Sequence, residues 1–160
     1  MPRLRLSTGL SGVAGEYLVA AELSRRGYIA SITLRNTRGI DILASNADAT
    51  RSAGIQVKTN QRSSRSWVLN EKVEREVQSE LADNLFFVFV CLNDLGPPAF
   101  HIVSRKEVAR YCHESHQRWL KAPGRKGRLH KDNPVRRFED AEGRYLGKWE
   151  SLGLGENVVA

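Results

Sequence analysis

RGIDILASNADATRSAGIQVKT, residues 38–59, is the stretch whose reading decides the fold. Two short apolar runs, Ile40 to Ala44 and Gly54 to Thr59, flank a polar connection over Asn46 to Ser52 and read as neighbouring β-strands. Side chains alternate across a strand. Ile40 and Ile42 therefore point one way and Asp41 the other, while Ile55 and Val57 point one way and Gln56 and Lys58 the other. If the two strands pair, Asp41, Gln56 and Lys58 share one face. An aspartate inside a short apolar strand is disfavoured by propensity, and a local rule broken in this way marks a candidate functional position.

Upstream, Ser11 to Arg26 reads as a helix: Ser11 can cap it, Val13, Tyr17, Ala20 and Leu23 recur at helical spacing, and Gly27 follows as a stop. Glu16 lies on the same side as Val13, Val19, Ala20 and Leu23, where an unpaired carboxylate is costly. An edge-of-stripe ion pair with an arginine accounts for it, and so does a functional site. The helix can pack on the face that carries Asp41, Gln56 and Lys58. Tyr28 to Leu34 reads as a strand, followed by a turn over Asn36 to Gly39.

Downstream, residues 60–66 form a polar, arginine-bearing loop, Trp67 to Leu69 a brief strand, and 71–82 a weakly helical charged stretch. Leu85 to Leu92 and Phe100 to Val103 are further strands. Ser104-Arg105-Lys106-Glu107 matches a capping box and opens a helix that can run to Leu120. Tyr17, Phe86, Phe87, Phe89 and Phe100 are expected in the core. Trp67, next to the arginine loop, is the aromatic best placed to meet a nucleic-acid base, with core or dimer packing an equal alternative. Phe138, Tyr145 and Trp149 are expected to dock an irregular tail. This order predicts one α/β domain over residues 1–152, with a mixed central β-sheet flanked by helices, and a flexible tail over 153–160.

With 160 residues and 41% hydrophobic content, the chain suffices for one sizeable core. No apolar run is long enough to span a bilayer and the first ten residues are too charged for a signal peptide, so a cytoplasmic protein is expected. Cys91 and Cys112 make no zinc-ligand spacing, and His113 and His116 have no evident third ligand. The net charge of +7 is unevenly placed. Residues 1–70 hold ten Arg/Lys against four Asp/Glu, and 102–137 eleven against three, whereas 71–101 hold two against six. Two basic zones on one domain suggest a polyanionic partner, nucleic acid before others.

A metal-dependent phosphodiesterase needs oxygen ligands for a hard cation and a group that neutralises phosphate charge. Glu16 and Asp41 can supply carboxylates, Gln56 an amide oxygen and Val57 its backbone carbonyl. Lys58 suits the scissile phosphate or the attacking water. Mg²⁺, or Mn²⁺ in its place, is the ion for such a set. Arg35 and Arg38 before Asp41, and Arg62 and Arg65 after Lys58, can flank a phosphate track, with Lys126, Arg128, His130 and Lys131 as a flexible basic arm.

The segments GVAGEYLVAAELSRRGY, RGIDIL and GIQVKT resemble the motifs of the PD-(D/E)xK nuclease superfamily, in particular its Holliday-junction-resolvase-like and Mrr-like restriction-endonuclease-like branches. The resemblance implies a restriction-endonuclease-like core of αβββαβ type, with Glu16, Asp41, Gln56 and Lys58 as catalytic residues. It also implies a Mg²⁺-dependent endonuclease acting on DNA, branched or damaged DNA included, in which the lack of a reading domain goes with a homodimer or a larger machine. Gln56 departs from the usual Glu or Asp, as it does in some Mrr-like enzymes, and Ile40 replaces the proline of the family's name. Two other readings remain open: a catalytically silent nucleic-acid-binding domain of the same fold, and a structural or interaction protein in which Glu16, Asp41 and Lys58 form a buried ionic network.

Overall fold

The computed structural model describes residues 5–34, 39–75 and 83–156. Strand β5 (Leu85–Cys91) organises them. Phe86, Val88 and Val90 enter one apolar cluster, while Phe87, Phe89 and Cys91 enter another on the opposite face. A strand covered on both faces has no solvent side, which is why its sequence is an unbroken apolar run.

The strands around it are β1 (Ile29–Ile32), β2 (Ile42–Ser45), β3 (Ser52–Asn60) and β6 (Ala99–Ser104), in the sheet order β1-β2-β3-β5-β6. β3 and β5 run parallel and the other neighbours antiparallel, so the sheet is mixed. Helix α1 (Thr8–Arg25) covers one face together with Trp149, Leu152 and Leu154 from the C-terminal segment. The other face carries α3 (Arg105–Lys121) and a two-stranded sheet of β4 (Ser66–Asn70) and β7 (Val135–Glu139), with the short α2 (Lys72–Arg75) after β4. No described helix is long and apolar enough to cross a membrane.

Several expectations change. α1 begins a turn earlier than its apolar period, because Ser7 is the cap: its hydroxyl accepts the Leu10 N–H at 3.2 Å, while the Ser11 hydroxyl donates to the carbonyls of Ser7 and Thr8. α1 packs on the face of Ile55 and Val57, opposite to Gln56 and Lys58, since Val19 and Leu23 bury against Ile42 and Ile55. Tyr17 points to solvent, 64% exposed. For Trp67 the core alternative holds: it is 3% exposed, its indole N–H donates to the Val90 carbonyl at 3.2 Å and its ring meets Phe89. Phe138 and Trp149 are buried as expected, but Phe138 sits in β7, which pairs with β4 across 66 to 70. The expected frayed end is docked as far as residue 155. Leu154 is buried, and the Tyr28 hydroxyl donates to the Gly155 carbonyl at 2.7 Å.

Candidate functional site

β2 pairs with β3 only as far as Ile42 opposite Ile55. Beyond that point the N-terminal flank of β2 leaves the ladder, and Asp41 takes over its end. The Asp41 N–H donates to the Ile55 carbonyl at 2.8 Å, and carboxylate Oδ2 accepts the Val57 N–H at 2.7 Å. A side-chain oxygen thus replaces a strand carbonyl as partner of β3. In a strand, the N–H and C=O of one residue face the same neighbour, so the Val57 carbonyl also points past the end of β2, on the Asp41 side.

Gln56 and Lys58 lie in register with Phe87 and Phe89 and so face the α3 layer. β3 thus presents two long polar side chains to that layer. The result is a concavity of about 550 Å³ whose walls include Gln56, Lys58, Gly39, Asn70, Lys72 and Arg105. Three of those side chains are cationic and none is a carboxylate.

Arg105, the first residue of α3, is 7% exposed. Its guanidinium lies 5.3 Å from the centre of the Phe87 ring, and Nη2 donates to Gln56 Oε1 at 3.0 Å and also to the Gly39 carbonyl. Gly39 has a φ of +64°, which favours glycine, and a Cβ there would stand 3.0 Å from that same nitrogen and crowd it. Sequence reasoning missed Arg105 and Lys72. The capping box placed Arg105 at the start of a helix, but its reach to Gln56 depends on the β3-β5-β6 strand order, for which the local sequence carries no signal.

Glu16 comes from the helix on the other face of the sheet and is half-buried. Arg35 and Arg38 lie outside the described residues. Arg62 lines a second concavity, of about 630 Å³, with Arg5, Thr8, Ser64 and Asp94 at the start of α1. Arg65 is exposed, and its Nη1 donates to the Ala141 carbonyl at 3.0 Å. Lys126, Arg128 and Lys131 are exposed on a loop more ordered than the arm expected from its composition. Gly124 N–H donates to the Arg128 carbonyl at 2.8 Å, and the His130 ring stacks on Trp119 at 4.1 Å. His116 Nε2 meets Asp132 at 2.7 Å, which accounts for it structurally.

Among the described residues no group of three or more His, Cys, Asp and Glu side chains could hold a metal ion. Mg²⁺ does not require one, because it keeps several waters and is often bound by one or two carboxylates plus substrate phosphates. Asp41 and the Val57 carbonyl fit that requirement. The Gln56 oxygen already accepts from the Arg105 guanidinium.

No protein-family model matches the sequence, and no curated protein matches it. Among solved structures the chain is similar to a Holliday junction resolvase from Archaeoglobus fulgidus, an archaeal hyperthermophile, with 15% identity, a TM-score of 0.45, and coverage of 92% of this chain and 91% of that one.

Proposed function

We propose that this chain is a metal-dependent endonuclease domain that hydrolyses phosphodiester bonds in DNA. One observation carries the reading: Asp41 is tied to the Val57 N–H at the N-terminal end of β2, while the next residue along β3, Lys58, opens into a cationic concavity. Asp41 and the Val57 carbonyl would hold Mg²⁺ or Mn²⁺. Such an ion, when bound, neutralises phosphate charge and makes its water a better nucleophile. The Lys58 ammonium pairs with a non-bridging phosphate oxygen or orients the attacking water, and Lys72 and Arg105 add positive potential around the same phosphate.

Asp41→Asn keeps the side chain's size and an oxygen for the Val57 N–H but removes the charge. It is expected to abolish Mg²⁺-dependent cleavage and to leave DNA affinity equal or slightly higher, because a like charge facing the phosphates is gone. Cleavage and gel-shift assays on one preparation, with linear duplex, single-stranded and four-way-junction DNA, would decide. Full cleavage by the variant would end the proposal. Binding without cleavage by the wild-type protein would favour the second reading, a silent nucleic-acid-binding domain, which the engagement of Gln56 by Arg105 supports.

A further inference from the structure

We propose that Arg105 is a positioning residue that reverses the polarity of position 56, making Gln56 a hydrogen-bond donor to a phosphate oxyanion and not a ligand of the metal. The inference deepens the nuclease reading and rests on it for the identity of the phosphate. The clamp itself stands on the geometry. An arginine has donors and no acceptor, whereas a glutamine amide has one oxygen and one NH₂ group. The contact between Arg105 Nη2 and Gln56 at 3.0 Å must therefore use the amide oxygen. The NH₂ group is directed away from Arg105, and Gln56 shares the concavity with Lys58. β3 then offers that space two donor groups in succession, an amide and an ammonium, with Lys72 contributing a third from α2.

The same guanidinium holds the Gly39 carbonyl, two residues before Asp41. Arg105 thereby ties the approach to β2 and the centre of β3 to one point on α3, and it is buried against Phe87, so its own position is fixed. Gln56 accepts from Arg105 without bringing a carboxylate into the lining of the concavity.

The test compares wild type, Gln56→Glu, and Gln56→Glu combined with Arg105→Gln. The readouts are thermal melts, calorimetric titration with Mg²⁺, and binding of a duplex of about 20 base pairs in EDTA. If Arg105 neutralises the new carboxylate, Gln56→Glu raises Tm by about 2–4 °C. It changes Mg²⁺ affinity by less than about twofold and weakens duplex binding about fivefold or more, since a donor has become an acceptor. Adding Arg105→Gln frees the carboxylate, and Mg²⁺ affinity rises about tenfold. A merely structural role for Arg105 would lower Tm in the double variant without that gain in metal affinity. The proposal is overturned if Gln56→Glu alone tightens Mg²⁺ binding about tenfold, or if it leaves duplex binding unchanged. Both results come from a single conservative substitution, so they remain readable should the double variant fail to fold. If the wild-type protein fails the cleavage assay set out for the Asp41 variant, the nuclease reading fails while the melts and the metal titration still decide the clamp.

Discussion

At the scale of single residues, the sharpest contrast is between two aspartates. Asp41 is half-buried at the N-terminal end of β2 and spends one oxygen on a backbone N–H. Asp140 is 4% exposed and fully enclosed: it meets His101 Nδ1 at 2.6 Å and accepts the N–H groups of Arg144 and Tyr145 at 2.7 and 3.0 Å. Burial pushes the Asp140 carboxyl up, but the His101 contact and the two N–H donors outweigh it and hold the pKa below the ordinary carboxylate value. A carboxylate with a lowered folded pKa stabilises the fold fully above its unfolded pKa, and that contribution disappears as pH falls through the folded value. Asp140→Asn should therefore cost about 1.5–3 kcal/mol at neutral pH, the range for hydrogen bonds to charged groups. Urea melts of both forms between about pH 2 and pH 7 should show the difference narrowing only under acid. A gap that stayed constant with pH would mean that packing, not charge, is what Asp140 contributes.

At the scale of elements, strand alternation and the helix periods were legible because they are local. The central strand, the Ser104 cap of α3 and the shared parity of Gln56 and Lys58 all follow from spacing within a few residues. The face on which α1 packs was not legible, because it depends on a meeting of two segments far apart in the chain. Gly15 is buried at the crossing of α1 and β3, where a Cβ would stand 1.9 Å from Thr59 Oγ1. This close approach puts the helix on the Thr59 side of the sheet, and no period in either segment announces it. The pairing of β4 with β7 escaped for the same reason, since its partners Ser66 and Glu139 are as distant in sequence. Gly15→Ala is expected to destabilise by about 1–3 kcal/mol through overpacking. Thr59 Oγ1 is buried and has no hydrogen-bond partner among the described residues. Thr59→Ala should then cost little alone, since removing an unsatisfied polar atom offsets the looser packing, and should recover much of the Gly15→Ala deficit in the double variant. Chemical denaturation of the four proteins gives the coupling. Strictly additive effects would show that the crossing relaxes elsewhere.

At the scale of the whole molecule, the basic zones bracket α3 lengthwise. Arg105, Lys58 and Lys72 gather at its N-terminal end, and Lys126, Arg128 and Lys131 follow its C-terminal end. A helix of 17 residues is about 25 Å long. The loop folds back, however: Lys131 adjoins Asp132, which meets His116, so that end of the arm lies about 16 Å from Arg105 along the helix axis. The basic arm should therefore add affinity without entering the chemistry, as backbone contacts do when they position a protein without reading bases. Replacing Lys126, Arg128 and Lys131 together by Ala should weaken binding to unrelated duplex sequences about equally. It should also lower the salt slope by up to about 0.9 for each phosphate that the arm no longer neutralises. Catalytic rate on saturating DNA should stay unchanged, because no charge at the Asp41–Lys58 end has moved. Replacing Arg62 and Arg65 is the comparison: Arg62 lines the concavity at the start of α1 and Arg65 is partly held by Ala141, so the drop in affinity should be smaller for Arg65 than for Arg62. Binding isotherms at several salt concentrations, with single-turnover cleavage at saturation, separate affinity from rate. An unchanged slope in a folded arm variant would move the DNA track off the C-terminal end of α3 and leave the N-terminal end as the whole of the binding surface.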